Sequence, residues 1–278
     1  MAAVAALAPA ATPGAGRGLL RIADVSKDFV SERGVVEALS ACSLSIAEGE
    51  FVCVVGPSGC GKSTLLRLIG GLTQPSSGQI FLDGIPVTRP SARMTFVFQR
   101  PVLLPWFSVL GNVLLPIRLA GGRIREAEPK ARALLDRVGL RGFEDRFPRE
   151  LSGGMQQRAA LARALVTEPS VLLMDEPFAA LDALTREHMA VELQRIISLG
   201  SVTTIFITHS IPEAALLGDR VVVLSGRPGH VVEDLRVPLA RPRTMEVAKD
   251  PAYIEVTTRV RRALEQGSDL AWAGNPPS

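Results

Sequence analysis

Phe51-Val52-Cys53-Val54-Val55-Gly56-Pro57-Ser58-Gly59-Cys60-Gly61-Lys62-Ser63-Thr64-Leu65-Leu66-Arg67-Leu68-Ile69 decides the fold of this 278-residue chain. The first five residues are an apolar run short enough for a buried strand. Glycines then alternate with small residues, and Lys62 to Ile69 reads as a helix ended by Gly70-Gly71. Successive backbone N–H groups from Gly59 to Thr64 can face phosphate oxygens, because glycines permit a tight loop and the following helix adds its positive N-terminal end. Lys62 is placed to reach the β- and γ-phosphates of a nucleotide. Ser63 can offer a hydroxyl to Mg2+, a hard cation that prefers oxygen.

Working outward, Ala38 to Ile46 leads into this strand through the turn Glu48-Gly49-Glu50. Val171 to Met174 and Thr203 to Thr208 are further apolar runs with polar groups at their C-terminal ends, as in a parallel sheet whose ligands sit beyond the strand ends. Val221 to Leu224 is another strand candidate. Met189, Leu193, Ile196 and Ile197 recur at helical spacing before a stop at Gly200, which marks a crossover helix. From Gln99 to Leu151 the character turns helical: Ala131, Leu134, Leu135 and Val138 share one face and Gly139 follows. The fold class is therefore α/β with an inserted helical subdomain.

Two elements add chemistry. Asp175-Glu176 follows four apolar residues, so a strand delivers both carboxylates to one sheet edge, pointing in different directions because side chains alternate. Ser152-Gly153-Gly154 stands where a helix begins: Ser152 is a favoured N-cap, and Met155, Ala159, Ala162 and Val166 run down one face behind it. An open helix N-terminus attracts anions.

Composition narrows the classes. Lys plus Arg number 31 against 28 Asp plus Glu, a net charge of +3, which argues against a dominating basic groove for nucleic acid. Local basic bias at Arg236, Arg241, Arg243, Arg259, Arg261 and Arg262 reads as a solvated tail. Cys42, Cys53 and Cys60 cannot all pair and lack metal-ligand spacing, so a reduced compartment is expected. Met1 to Gly16 lacks the charged start of a signal peptide and is interrupted by Pro9, Pro13 and Gly14, so it reads as a disordered extension. The last dozen residues, ending Asn275-Pro276-Pro277-Ser278, read as mobile.

The order of Gly56 to Thr64, Gln99, Leu151-Ser152-Gly153-Gly154-Met155-Gln156-Gln157-Arg158, Val171 to Pro177, Leu181-Asp182 and His209 resembles the ATP-binding subunit of ABC transporters. Over roughly Leu20 to Ala240, the resemblance implies a P-loop NTPase, RecA-like core with an antiparallel β portion and a helical subdomain inserted at about 100–155. On that reading 1–18 is an N-terminal extension, 19–240 the ATP-binding domain and 241–278 a C-terminal extension. It implies ATP and Mg2+ as ligands. ATP contacts fall to Gly56, Pro57, Ser58, Gly59, Cys60, Gly61, Lys62, Ser63 and Thr64, and to Phe29 as the ring stacking on adenine, where tyrosine is more usual. Asp175 with Ser63 supports the metal, Gln99 touches the metal or the water, Glu176 is the base for water, and His209 contacts the γ-phosphate.

Since the phosphate loop is filled by the chain's own nucleotide, the resemblance assigns Ser152, Gly153 and Gly154 to the γ-phosphate of ATP held by another subunit, in a head-to-tail dimer. Asp182 is assigned to communication across it. Met155 stands where glutamine is commoner, and Ala180 where many relatives have serine. The segment Leu103 to Val113 resembles the groove by which importer ATPases receive a short helix of an integral membrane permease subunit, with Leu104 and Trp106 as anchors. Ser225-Gly226-Arg227-Pro228-Gly229-His230-Val231-Val232-Glu233 is similar to the nitrate, sulfonate and taurine importer branch. The implied setting is peripheral, on the cytoplasmic face of the cell membrane, with an extracytoplasmic solute-binding protein as an indirect partner and no nucleic acid. The rival class, a soluble ABC-type ATPase acting on nucleic acid or ribosomes, would bring long coiled-coil inserts, zinc cysteines or a tandem second cassette.

Overall fold

The computed structural model describes residues 19–31, 34–179, 181–197 and 202–273. The expected extension at 1–18, Ala180, the helix stop at Gly200 and the tail from 274 onward lie outside the described residues. In chain order the elements are β1 (Leu20–Ser31), β2 (Gly34–Ile46), β3 (Phe51–Val55), α1 (Lys62–Ile69), β4 (Ser77–Leu82), β5 (Ile85–Pro86) and β6 (Met94–Val97). Four helices follow, α2 (Val109–Val113), α3 (Leu115–Leu119), α4 (Ile124–Arg137) and α5 (Gly153–Leu165). The chain then runs through β7 (Val171–Asp175), α6 (Ala183–Ile197), β8 (Thr203–Ile207), α7 (Ile211–Leu217), β9 (Arg220–Leu224), β10 (Val231–Arg236) and α8 (Pro251–Ala273).

A six-stranded sheet in the order β10-β9-β3-β8-β7-β6 is parallel except for the edge strand β10, and a separate antiparallel sheet runs β2-β1-β4-β5. The strands of the parallel sheet are continuous apolar runs because both faces are covered. Along β3, Phe51, Cys53 and Val55 face one apolar cluster with α5, α6, α7 and α8, while Val52 and Val54 face a second with α1 and the antiparallel sheet. That period-two split fixes the layers.

Helix α1 ends as the glycine pair implied: Gly71 is at φ +69°, and Leu72 N–H donates to Arg67 O at 2.9 Å. The same left-handed ending recurs at Gly139, where Leu140 N–H donates to Leu135 O at 2.8 Å.

The C-terminal stretch corrects the sequence reading. The chain from Pro251 to Ala273 is the helix α8, which buries Val256, Val260 and Ala263 against the main core. These residues sit at i, i+4 and i+7 among Arg259, Arg261 and Arg262, so the low average hydropathy concealed a narrow apolar stripe. Of the basic cluster, Arg236, Arg259, Arg261 and Arg262 are exposed, as a solvated tail would have them, while Arg241 and Arg243 are built into the fold. Arg243 is 1% exposed, Arg241 pairs with Asp219 at 3.0 Å, and Arg259 pairs with Glu233 at 2.6 Å. The three cysteines are free and buried. No described helix is long and apolar enough to cross a membrane.

Candidate nucleotide site

Because β3, β8, β7 and β6 run parallel, their C-terminal ends share one edge of the sheet. That edge gathers the glycine loop after β3, Gln99 after β6, Asp175 and Glu176 from β7, and His209 after β8. A cleft of about 320 Å3 is lined there by Ser58, Gly59, Gly61, Lys62, Ser63 and Thr64, with Gln99, Asp175 and Glu176 alongside. Phe29 and Val36 from the β1–β2 ribbon also line it, and Phe29 is 46% exposed, which leaves ring surface open for stacking. Gly56, Pro57 and Cys60 build the loop behind this lining.

The loop depends on its glycines. Gly59 and Gly61 have φ +75° and +102°, and a Cβ on Gly61 would stand 2.6 Å from Ala38 O. Lys62 is buried, and its ammonium donates to Gly56 O and Pro57 O, both at 2.8 Å. Neutral carbonyls leave its charge uncompensated, which suits an anion.

Ser63 Oγ donates to Asp175 Oδ1 at 2.9 Å. Burial holds the Asp175 carboxyl above the usual range, with the Ser63 hydrogen bond opposing and the neighbouring Glu176 carboxylate adding to the rise. A carboxylate so disfavoured gains from a nearby cation. Among the described residues no three His, Cys, Asp or Glu side chains converge into a metal cage. The hydroxyl–carboxylate pair is a hard-oxygen donor set that fits Mg2+ with nucleotide oxygens and water completing the shell.

Glu176 takes φ +44°, a left-handed conformation held by its N–H donating to Ile207 O at 3.0 Å. This turn carries its side chain away from Asp175, and Glu176 Oε2 lies 3.3 Å from His209 Nδ1. His209 is about half exposed and does not itself line the cleft. Behind it, Thr208 Oγ1 donates to the buried Glu213 carboxylate and accepts from Ser210 N at 3.0 Å. Arg186 Nε lies 3.4 Å from Glu213 Oε1, while Arg186 Nη2 donates to Leu181 O at 2.9 Å. Sequence reasoning missed this chain of contacts, because Arg186 on α6 and Glu213 on α7 carry no motif of their own and meet Thr208 only in the packed fold.

Ser152, Gly153 and Gly154 are not among the residues lining that cleft. Ser152 Oγ accepts from Met155 N at 3.3 Å, the N-cap the sequence announced. Ser152 and Gly153 are exposed, and a Cβ on Gly153 would meet open space. Gly154 instead is buried beside Leu181 and Thr185, which ties the start of α5 to the Asp182 turn. Asp182 is exposed and accepts from Thr185 N at 3.0 Å, and hydrogen bonds from the Thr185 side chain and then its backbone lower the Asp182 pKa.

A wider cleft of about 580 Å3 lies along Gly142 to Glu150. Its Glu150 carboxylate is already engaged by Phe147 N and Arg146, and it has no glycine cradle, so the chemistry belongs to the smaller cleft. The smaller cleft also contains three residues the sequence reading did not place there, Val36, Ala38 and Arg227. Only the neighbours brought by β2 and by the turn after β9 could have revealed them.

A glycine phosphate cradle at the head of a parallel sheet, faced by a hydroxyl–carboxylate pair and a second carboxylate, defines a P-loop nucleotide-hydrolysing protein. Residues 39–179 match the ABC transporter family, and the chain belongs to that family as an ATP hydrolase. It is 47% identical to an ABC transporter ATP-binding protein of Methanocaldococcus jannaschii, covering 81% of this chain and 84% of that one. Identity is 45% to an aliphatic sulfonates import ATP-binding protein of Burkholderia cenocepacia, covering 86% and 85%, and 42% to the nitrate import ATP-binding protein of Synechococcus elongatus, covering 91% and 94%. Among solved structures, a dimeric post-hydrolysis state of the ATP-binding cassette MJ0796 bound to ADP and Pi matches with a TM-score of 0.69 at 32% identity, covering 80% of this chain and all of that one.

Proposed function

We propose that this chain is the ATP-hydrolysing subunit of an ABC importer, working as a head-to-tail pair in which each ATP is held between the glycine loop of one copy and the α5 start of the other. The observation that carries this reading is the division of the site: one chain has a glycine loop with its carboxylates, and a separate exposed helix start, of the kind that suits an anion, outside that cleft. Two-fold symmetry joins such halves into two sites.

In that pair, Lys62 turns from the Gly56 and Pro57 carbonyls to the phosphates, and the backbone N–H groups of the loop hold the same oxygens. Ser63 and Asp175, with Gln99, hold Mg2+, which when bound supplies positive charge to the phosphate oxygens. Phe29 stacks on adenine. Glu176 orients the water and takes its proton as the water oxygen bonds to the γ-phosphorus and the bond to ADP breaks. His209, held by Glu176, positions the γ-phosphate, and Asp182 lies at the contact between copies. Loss of the bridging phosphate separates the copies, which is the differential contact that drives transport.

The relatives are import subunits for nitrate and aliphatic sulfonates, and they support the same role here for nitrate, a sulfonate, taurine or a related small solute. They give no support to the rival role on nucleic acid or ribosomes. The protein then sits peripherally on the cytoplasmic face of the membrane, under permease subunits served by an extracytoplasmic solute-binding protein. We take the ATP-binding unit to be 19–240, with its helical arm at about 100–155 and the extension 241–278 packed onto its core through α8.

Complementation tests the composite site. Gly153→Asp places a carboxylate where the partner's phosphate is to bind, in open space that leaves the fold undisturbed. Lys62→Ala disables the loop. Each variant alone is expected to lack ATPase activity, and a mixture regains it through the one site per mixed dimer that is intact. A Gly153→Asp protein as active as wild type would sink the composite site.

The permease contact has its own test. Trp106 is 67% exposed, on a segment pinned by the buried Asn112, whose amide binds Leu104 N and O and the carbonyls of Phe107 and Ser108. Trp106→Glu is expected to weaken co-purification with permease subunits by more than about 30-fold, with the ATPase activity of the isolated subunit unchanged. Undiminished assembly and uptake would remove Trp106 from the interface.

A further inference from the structure

Besides Lys62, the cleft has a second cation with no role assigned above. Arg227 stands in the turn Ser225–His230 between β9 and β10, and that turn is built into the site. Gly229 N donates to Ala38 O at 3.0 Å, and Ser40 N donates to Gly229 O at 2.9 Å, so the turn is laced to β2. Within it, His230 N donates to Ser225 Oγ at 2.9 Å, and Ser225 Oγ lies 2.8 Å from His230 Nδ1. A Cβ on Gly229 would stand 2.1 Å from Cys60 O, so the turn lies directly on the phosphate loop.

From this support the Arg227 guanidinium reaches Gly59 O, with Nε at 3.3 Å and Nη2 at 3.0 Å. Among the described residues its Nη1 makes no hydrogen bond and no carboxylate pairs with it. It lines the same cleft as Phe29, Val36 and Lys62. The charged residues lining that cleft are Lys62 and Arg227 against Asp175 and Glu176, so without Arg227 the cleft would be net negative toward an anionic nucleotide. A guanidinium suits this double task, since its fork can keep one carbonyl while another N–H meets an anionic oxygen.

We infer that Arg227 is a second phosphate-binding cation of the nucleotide cleft, fastening the loop at Gly59 and lending its charge and Nη1 to the polyphosphate. This rests on the cleft being the ATP site, as proposed above. The test compares Mg2+-ATP and AMP binding to full-length wild type, Arg227→Lys and Arg227→Gln by titration calorimetry. Losing one charge-assisted contact is expected to weaken ATP binding by about tenfold in Arg227→Gln. AMP, which lacks the outer phosphates, should change by less than about twofold, and Arg227→Lys, which keeps the charge but not the fork, should fall between wild type and Arg227→Gln for ATP. Equal losses for ATP and AMP, or a lysine variant as weak as the glutamine variant, would reduce Arg227 to a fastener of the loop. ATP affinity unchanged in Arg227→Gln would overturn the inference outright. Failure of the wild type to bind ATP would instead strike the nucleotide-site reading beneath it.

Discussion

Replacing Glu176 by glutamine is expected to stop turnover while leaving ATP bound. The amide has nearly the shape of the carboxylate, and the Glu176 backbone is held independently of its side chain by Ile207 O and by Ala179 N donating back to Glu176 O at 3.1 Å. An amide can still meet His209, so the geometry at 3.3 Å survives. It cannot take a proton from water. Removal of a general base costs roughly 10²–10⁴-fold in rate, so phosphate release should fall by that factor with ATP affinity nearly unchanged. The unspent nucleotide then keeps bridging two copies, and light scattering should show a dimer that forms with Mg2+-ATP and not with ADP. Turnover within about twofold of wild type would take Glu176 out of its role. A glutamine variant that binds ATP yet stays monomeric, alone and with permease subunits, would undo the paired site.

Arg243 carries the second large expectation, on stability. Its side chain is almost wholly buried, and its Nη1 donates to Ala215 O, Leu216 O and Gly218 O at 3.1, 3.2 and 2.7 Å. Nε and Nη2 both donate to Leu239 O. The backbone of Arg243 is closed off by Gln194, whose amide donates to Arg243 O and accepts from Arg243 N. The guanidinium therefore satisfies the carbonyls at the C-terminal end of α7, where a positive charge also complements the helix dipole. Burial and the nearby Arg241 guanidinium pull its pKa below the ordinary arginine value, with Asp219 opposing.

Arg243→Met keeps much of the volume and leaves those carbonyls without donors. Orphaned buried acceptors on this scale cost about 3–5 kcal/mol, which lowers the melting temperature of a chain this size by roughly 10 °C. Arg243→Lys, with three donors, should fall between. Because α7 starts two residues beyond His209, loosening its far end should also raise hydrogen exchange along Ile211–Leu217. A methionine variant that melts within about 1 °C of wild type would show that the carbonyls find other partners.

Much of the site was legible in the chain because its chemistry is local. The left-handed glycines, the strand into Val55, the Ser152 cap and the Asp175–Glu176 pair are each set within a few residues, and each stands where its own sequence placed it. The stretch beyond Pro242 was misread for the opposite reason. Arg243 and the Val256–Val260–Ala263 stripe acquire meaning only from packing on β9, β10 and α7, contacts that no local pattern announces. An arginine in a polar-looking segment carries no local sign that four separate carbonyls await it.

What the amino-acid order determined by itself is the strand, loop and helix that cradle phosphate, since steric freedom at glycine and orphan N–H groups at a helix start need no distant partner. Tertiary structure alone decided that β3 lies between β8 and β9, one strand removed from β7, so that Ser63 reaches Asp175 and the turn with Arg227 settles on Gly59. Strand neighbours are chosen by burial of both sheet faces across long loops, and that choice is a property of the packed whole.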